Sequence, residues 1–241
     1  MPEAGLGKLE ATVTRVEYLN ADILGIRLEP SRPLEYKAGQ FINLFKDETT
    51  ARCYSLASVP ALDKELVLHV RKVPGGLVSG WVFANMKAGD TITISEASGD
   101  CFYVEGNLLQ NILLIATGSG LAPLYGIIRD ALLNGHQGKL SLYHGSYNPD
   151  GFYLVEELKK LALAHRNFSY VPCVSEGSGE GEIEARAGYA SGMVLDVALA
   201  DHPDLSGWRV FLCGNPDMVN AAKQKTFFAG ASMRDIFADP F

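Results

Sequence analysis

The chain has 241 residues, of which 47% are hydrophobic and 20% charged, so it can bury a core and is neither disordered nor collagen-like. Its net charge of −7, without any Lys/Arg run, predicts no nucleic-acid partner. The length fits two compact domains. The cysteines are too widely spaced for a disulfide scaffold, a zinc site or an iron–sulfur cluster, and no metal is expected; they are Cys53, Cys101, Cys173 and Cys213.

Neither a leader nor a membrane segment is predicted. Residues 1–8 lack the basic start and apolar centre of a signal peptide. The longest apolar stretch, from Ile112 to Leu124, is too short and too interrupted by glycines to span a bilayer. We therefore expect a reduced, cytoplasmic protein with no membrane partner.

The first hundred residues predict short β-strands separated by Gly, Pro and Asp, with one helix at about Val78–Met86. The predicted strands are Leu9–Tyr18, Ile23–Leu28, Phe41–Phe45, Tyr54–Ala57, Glu65–Val73 and Thr91–Ser95. Strands at this spacing are typical of an antiparallel barrel or sandwich.

From about residue 110 strands and helices alternate, which predicts a parallel sheet with crossover helices. The predicted strands are Asn111–Ala116, Leu140–His144, Phe168–Val174 and Val210–Cys213. The predicted helices are Pro123–Leu133, Phe152–Ala164, Val194–Ala200 and Pro216–Phe227. The change of period places a domain boundary between residues 106 and 107. Ser175–Glu184 is predicted to be a Gly/acidic loop.

A glycine-rich turn follows the first buried strand of the second half and opens a helix. It reads Thr117-Gly118-Ser119-Gly120-Leu121-Ala122-Pro123. Glycines let backbone N–H groups approach a diphosphate, and the helix start adds free donors. The alternative is an ordinary strand–helix turn. Pro123 replaces the third glycine of the usual dinucleotide fingerprint and suits a first helical turn.

Two segments of the predicted β half are also candidate anion-binding sites. Arg52–Ser58 follows Gly39-Gln40-Phe41 and combines a cation, an aromatic ring and hydroxyls on one strand, although it is also a plausible edge strand. His69-Val70-Arg71 is followed by Pro74–Ser79, a glycine-containing helix start near an arginine. Anion sites in both domains fit two nucleotides bound at one interface.

The last motif is Cys213–Val219 (CGNPDMV), at the carboxyl end of a late strand, the edge at which open α/β sheets bind ligands. Taken alone, Cys213 is more simply a small buried hydrophobic residue. The histidines other than His69 are predicted to be surface or satisfied core residues. Phe227 and Phe228 are predicted to be core.

In this order, these motifs resemble the ferredoxin–NADP reductase superfamily, in particular the reductase core of bacterial oxygenase systems, over nearly the whole chain. The resemblance implies an N-terminal antiparallel flavin-binding β-barrel (residues 1–106) followed by a C-terminal parallel-sheet nucleotide-binding α/β domain (residues 107–241). It also implies FAD as cofactor, NAD(P)H as donor, and a separate ferredoxin or oxygenase component as acceptor.

The resemblance assigns FAD to residues of the barrel: Arg52, Tyr54, Ser55, His69, Val70, Arg71, Gly76, Leu77 and Ser79. It assigns the nicotinamide dinucleotide to residues of the second domain: Thr117, Gly118, Gly120, Pro123, Cys213 and Gly214. Asp239 and Phe241 match the family's terminal acidic-x-aromatic pattern beside the flavin. The residues expected to act in hydride transfer are Tyr54, stacked on the flavin ring, Ser55, near its N5, Cys213, beside the nicotinamide, and Phe241.

Three functions stay open. The first is a reductase that retains FAD and passes electrons to another protein, the second a free-flavin reductase, and the third a non-catalytic flavin-binding subunit. Arg71 and the helix start at residues 75–79 favour retained FAD, whereas Ser55, Cys213 and Phe241 argue against the third. NADH is favoured over NADPH because residues 144–150 contain no Lys or Arg and do contain Asp150. The sequence does not predict an oligomeric state.

Overall fold

The computed structural model describes residues 7–176, 185–186 and 188–241. Most of the predicted Gly/acidic loop, from residue 177 to 184, lies outside these residues.

The first half folds as the predicted antiparallel barrel. Its strands are β1 (Lys8–Asn20), β2 (Ile23–Pro30), β3 (Phe41–Phe45), β4 (Ala51–Ser55), β5 (Leu66–Arg71) and β6 (Thr91–Ser95), with helix α1 at Leu77–Asn85. They form a sheet in the order β4-β3-β6-β1-β2-β5. A bridge between Leu56 and Leu68, beside a 2.8 Å bond from Ala57 N to Val67 O, joins the two edges of the sheet. The apolar/polar alternation predicted for β1 is confirmed: Leu9, Ala11 and Val13 point into the core.

The second half is the predicted α/β domain. Its strands are β7 (Ile112–Thr117), β8 (Leu140–Ser146), β9 (Phe168–Val174), β10 (Ala185–Arg186), β11 (Tyr189–Ser191), β12 (Arg209–Gly214) and β13 (Ile236–Pro240). Its helices are α2 (Leu121–Leu133), α3 (Val155–Ala164), α4 (Val194–Asp201) and α5 (Pro216–Phe228). The strand order is β10-β11-β9-β8-β7-β12-β13, with every pair parallel except β10-β11.

Local details differ from the sequence predictions. The fourth strand is Ala51–Ser55 rather than Tyr54–Ala57, and the third helix begins at Val155 rather than Phe152. Strand β13 was not predicted. Phe227 and Phe228 are not core residues: α5 turns them outward, with exposed fractions of 47% and 83%. The boundary between residues 106 and 107 falls between β6 and β7 and stays a prediction.

Helix α2 packs directly against the barrel. A Cβ added at Gly126 would lie 3.2 Å from the Leu56 carbonyl, so this face of α2 must be bare to approach the barrel. Arg129 donates two hydrogen bonds to the Asp63 carboxylate, at 2.9 and 3.0 Å. Such a paired contact fixes orientation as well as distance. The barrel therefore holds α2 in place.

In the described part of the chain, the longest helices have 13 residues, and none has the length and apolar character needed to cross a membrane.

Candidate active site at the domain interface

The start of α1 offers an open anion site on the barrel. Gly76 precedes the helix, and no side chain caps it. A Cβ at Gly76 would collide with the Ser79 hydroxyl, which accepts a 3.3 Å bond from Val73 N, so glycine keeps this turn narrow. The exposed Arg52 guanidinium bonds only to the Ala51 carbonyl, at 2.8 Å, among the described residues. Free helix N–H groups and arginine are the donors that a flavin diphosphate needs.

The ends of β4 and β13 meet at the domain interface. The Ser55 hydroxyl donates to Asp239 Oδ2 at 3.3 Å, joining residues 184 positions apart. Burial raises the pKa of Asp239 against the opposing effect of this hydrogen bond. Burial also raises the pKa of the half-buried Tyr54 to about 12, so its ring is neutral and can stack on a planar ligand. Asp239 and Ser55 can together hold or pass a proton at the Ser55 oxygen.

Cys213 lies directly opposite Asp239 in the β12-β13 pair and is fully buried. Its sulfur is 3.8 Å from the sulfur of Cys101, a barrel-side residue that the sequence did not single out. Burial, followed by the contact with Cys101, raises the pKa of the Cys213 thiol. A neutral thiol is a poor nucleophile, so this geometry favours packing and positioning.

The turn between β7 and α2 uses its glycines in different ways. Gly118 has φ +53°, a left-handed conformation that favours glycine, and the Arg71 guanidinium lies 3.8 Å from where its Cβ would be. Gly120 is buried, and a Cβ there would collide with the backbone carbonyl of Cys213. Gly118 is therefore placed to meet a ligand, whereas Gly120 allows α2 to pack on β12.

The turn between β12 and α5 contacts Thr117, at the end of β7. Gly214 has φ +128°, and a Cβ there would collide with Thr117 Oγ1. That oxygen accepts a 3.0 Å bond from Asn215 N. The Asn215 side chain caps α5 by accepting from Asp217 N at 2.8 Å and Met218 N at 3.3 Å. Phe241, half-exposed, donates its N–H to the Gly214 carbonyl at 3.0 Å.

A cleft of about 710 Å³ runs along the carboxyl edge of the sheet from the barrel to α5. Its lining includes Asn20, Arg71, Thr117, Gly118, Ser146 and Asn215. The volume lies within the usual range for ligand sites, and both domains contribute walls. A second cavity, of about 400 Å³, reaches Asp239 and Cys101 between the barrel and α5.

Most of the predicted site residues do not line this cleft; among its lining residues, the predicted ones are Arg71, Thr117 and Gly118. Pro123 is buried in the first turn of α2, as predicted for its position, and contributes packing rather than a cleft wall. Val70 is fully buried in the barrel core, so only its backbone can reach a ligand. Leu77, by contrast, is 59% exposed at the start of α1. The assignment of individual residues to FAD or to the dinucleotide stays a prediction.

Two buried histidines connect the domains through Tyr153, which the sequence did not identify. His69 Nδ1 lies 3.2 Å from the Tyr153 hydroxyl, and burial lowers the pKa of His69 to about 3. His144 Nε2 lies 3.3 Å from the Gly118 carbonyl, and burial lowers its pKa to about 4. His144 Nδ1 is buried and has no hydrogen-bond partner among the described residues, so the prediction that this residue is satisfied is wrong for that nitrogen.

Family models match both halves of the chain. The oxidoreductase FAD-binding domain matches residues 10–103, and the oxidoreductase NAD-binding domain matches residues 114–224. These matches agree with the barrel, the α/β domain and the cleft between them.

Similar proteins are reductase components. The chain is 35% identical over 233 residues to the ferredoxin–NAD(P)(+) reductase component of the naphthalene 1,2-dioxygenase system of Pseudomonas putida, covering 97% of this chain and 69% of that protein. It is 36% identical over 220 residues to the aromatic O-demethylase reductase subunit of an Amycolatopsis strain, covering 90% and 64%. The chain thus spans about two thirds of the length of these relatives.

Solved structures agree. A crystal structure of an Amycolatopsis cytochrome P450 reductase superposes with a TM-score of 0.89 at 34% identity, covering 98% of this chain and 70% of that one. A Neisseria gonorrhoeae ferredoxin NADP+ reductase with bound FAD and NADP shares the fold at 23% identity, with a TM-score of 0.79 and coverage of 97% and 98%. The chain therefore belongs to the ferredoxin–NADP reductase family of FAD- and NAD(P)-binding oxidoreductases.

Proposed function

We propose that the protein is a flavoprotein reductase that takes a hydride from NADH onto bound FAD and delivers electrons to a separate acceptor, a ferredoxin or an oxygenase component. The observation that carries this proposal is the convergence of Ser55, Asp239 and Cys213 at the domain interface, where Asp239 lines the smaller cavity between the barrel and α5. The naphthalene dioxygenase and O-demethylase relatives, named as reductase components, support the acceptor class.

The chain's own residues would position and shield the reacting rings. When bound, FAD supplies the chemistry of accepting an electron pair with a proton and releasing electrons one at a time. Tyr54 would pack against the flavin ring, and Arg52 with the start of α1 would neutralise its diphosphate. Thr117, Gly118 and the neutral thiol of Cys213 would fix the nicotinamide end of the donor and exclude water. Ser55 and Asp239 would hold the proton that accompanies the electrons.

The visible spectrum of the purified protein tests this function. After gel filtration we expect a yellow protein whose flavin absorbance is bleached by anaerobic NADH and returns when an iron–sulfur ferredoxin or oxygenase component is added. A colourless protein that reduces added FAD or FMN would instead identify a free-flavin reductase. A yellow protein that NADH does not bleach would identify a non-catalytic flavin-binding subunit.

A cytoplasmic location remains a proposal, supported by the four cysteines, none of which forms a disulfide in the described part of the chain. The acceptor must find a local docking face, because a net charge of −7 gives no general attraction for an acidic partner.

A further inference from the structure

We propose that Tyr153 is a positioning residue: it fixes the tautomer and orientation of His69 and so sets one N–H donor at the flavin side of the domain interface. This inference rests on the proposed function for its consequence but not for its geometry. Tyr153 is 3% exposed, and its hydroxyl contacts a histidine of the other domain.

Strand β5 turns two side chains towards the nucleotide domain. Residues 69 and 71 share one face of the strand because side chains alternate along it. His69 contacts Tyr153, and Arg71 extends to the Gly118 turn. The intervening Val70 points into the barrel core. His69 therefore lies on the face of the barrel that the donor cleft adjoins.

The backbone conformation around Tyr153 positions its ring at the domain interface. The sequence favours a helix from Phe152, yet α3 begins three residues later, at Val155. Leu154 adopts φ +56°, the one non-glycine residue with positive φ in the described ranges. Such a conformation costs energy in a branched side chain and persists only where surrounding contacts enforce it. Releasing Tyr153 from the helix allows its ring to enter between His69 and His144.

A row of three rings then spans the interface. The Tyr153 ring stands edge-on to His69, with centroids 5.2 Å apart, and edge-on to His144, at 5.9 Å. His144 Nε2 must carry the proton that it donates to the Gly118 carbonyl, because a carbonyl only accepts. The row thus runs from a barrel strand to the backbone of the nucleotide turn.

The Tyr153 hydroxyl determines which ring nitrogen of His69 carries the proton. Burial keeps His69 neutral, so only one of its ring nitrogens carries a proton. Tyr153 has one hydroxyl hydrogen, and His69 Nδ1 is its one hydrogen-bond partner among the described residues. Donation from the hydroxyl to Nδ1 satisfies both groups, whereas the reverse would leave the hydroxyl hydrogen buried and unpaired. His69 therefore carries its proton on Nε2, which is free to face a ligand.

A second tyrosine–histidine pair provides a matched control. The Tyr103 hydroxyl lies 3.1 Å from His136 Nδ1, with ring centroids 5.7 Å apart at 89°. This pair is away from the donor cleft, and His136 Nε2 also lies 2.9 Å from the Gln110 carbonyl. The hydrogen bond to the Gln110 carbonyl is sufficient to fix the His136 tautomer, so Tyr103 is not needed for it. The His69 ring has no second hydrogen bond within the described chain.

The test combines Tyr153→Phe with Tyr103→Phe and two measurements. Histidine ¹⁵N spectra of the purified proteins near pH 7, with His69 assigned by its loss in His69→Gln, report each tautomer. We expect His69 to be protonated on Nε2 in the wild type and mixed in Tyr153→Phe, while His136 keeps its tautomer in Tyr103→Phe. Stopped-flow reduction by NADH should be about five-fold slower in Tyr153→Phe, the loss expected for one hydrogen bond, and unchanged in Tyr103→Phe.

A wild-type His69 protonated on Nδ1 would overturn the inference, and this measurement needs no variant to fold. An unchanged His69 tautomer in Tyr153→Phe would also overturn it, as would equal slowing of reduction in both tyrosine variants. If NADH fails to reduce even the wild-type flavin, the proposed function falls, while the spectra still decide the role of Tyr153.

Discussion

Two helices, one in each domain, begin after a glycine and have similar sequence patterns, but the surroundings of the two helix starts differ. At α1, Gly76 is followed by Leu77, which is 59% exposed, and no side chain caps the helix. At α2, Gly120 is buried, and Leu121 is fully buried behind it. The first start has no side-chain cap, and we propose that its backbone N–H groups bind a ligand. The second is closed by packing against β12, and Thr117 and Gly118, which precede it, line the cleft.

The comparison shows that glycine before a helix is not in itself evidence of phosphate contact. A glycine can be required because a ligand approaches the backbone or because another strand does. The space around the missing Cβ separates the two cases, and this space depends on tertiary packing. Substitutions in each domain test the two cases separately.

The largest expected effect is on the closed start. Gly120→Ala would push a methyl group into the Cys213 carbonyl, and backbone on both sides leaves little room to relax. We expect a loss of about 3 kcal/mol in the free energy of unfolding, measured by urea denaturation. Gly80→Ala is the control, because Gly80 lies within α1 with no atom within 4 Å of its added Cβ. That change should be neutral or stabilising. Equal stability of the Gly120→Ala protein and the wild type would refute the packing role.

Local patterns in the sequence predicted most of the fold. Strand β7 was predicted to within one residue because a continuous apolar run is typical of a strand buried on both faces. Strand β13 was missed because its Asp239-Pro240 end does not resemble a strand, and its existence depends on pairing with β12. The start of α3 was misplaced because tertiary contacts of Tyr153 override helix propensity there.

The candidate site was predicted less completely. Resemblance to a family supplied Ser55, Cys213 and Asp239 as separate residues, and the fold brings them together across 184 positions of chain. Cys101 and Tyr153 have no local signal that marks them, because their importance comes from the partner that each one meets. Contacts of this kind depend on the packing of the two domains and cannot be predicted from local sequence.

The second prediction concerns the diphosphate site proposed for the barrel. Arg52→Ala should raise the dissociation constant for FAD about 10- to 100-fold, because a charge-assisted contact to the diphosphate is lost. The measurement is FAD fluorescence or absorbance after titration into apoprotein. Arg15→Ala is the control, since Arg15 is also an exposed barrel arginine but pairs with Glu17 at 2.6 Å. Unchanged FAD affinity in Arg52→Ala would remove the arginine from the site.

The third prediction concerns the residue against which the closed start packs. Cys213→Ala should slow flavin reduction by NADH about ten-fold while leaving FAD content intact, because it removes the polarisable sulfur that we propose lies at the nicotinamide end. Cys101→Ala removes the sulfur that touches it at 3.8 Å and serves as the packing control. If both variants lower the rate equally, Cys213 acts only through packing.

The smallest expected effect concerns the choice of donor. Ser146 lies in the cleft at the end of β8, where a 2′-phosphate would need a cation. Among the cleft residues that the structure describes, the cations are Arg71, placed beside Gly118, and Lys225, paired with Asp196 at 2.7 Å. We therefore expect NADH to give the higher kcat/KM, by several-fold at low ionic strength, where charge contacts are least screened. Ser146→Arg should move the preference towards NADPH, whereas Ser146→Gln, of similar length but uncharged, should not. Equal kcat/KM for both donors in the wild type would show that another cation reaches this end of the cleft.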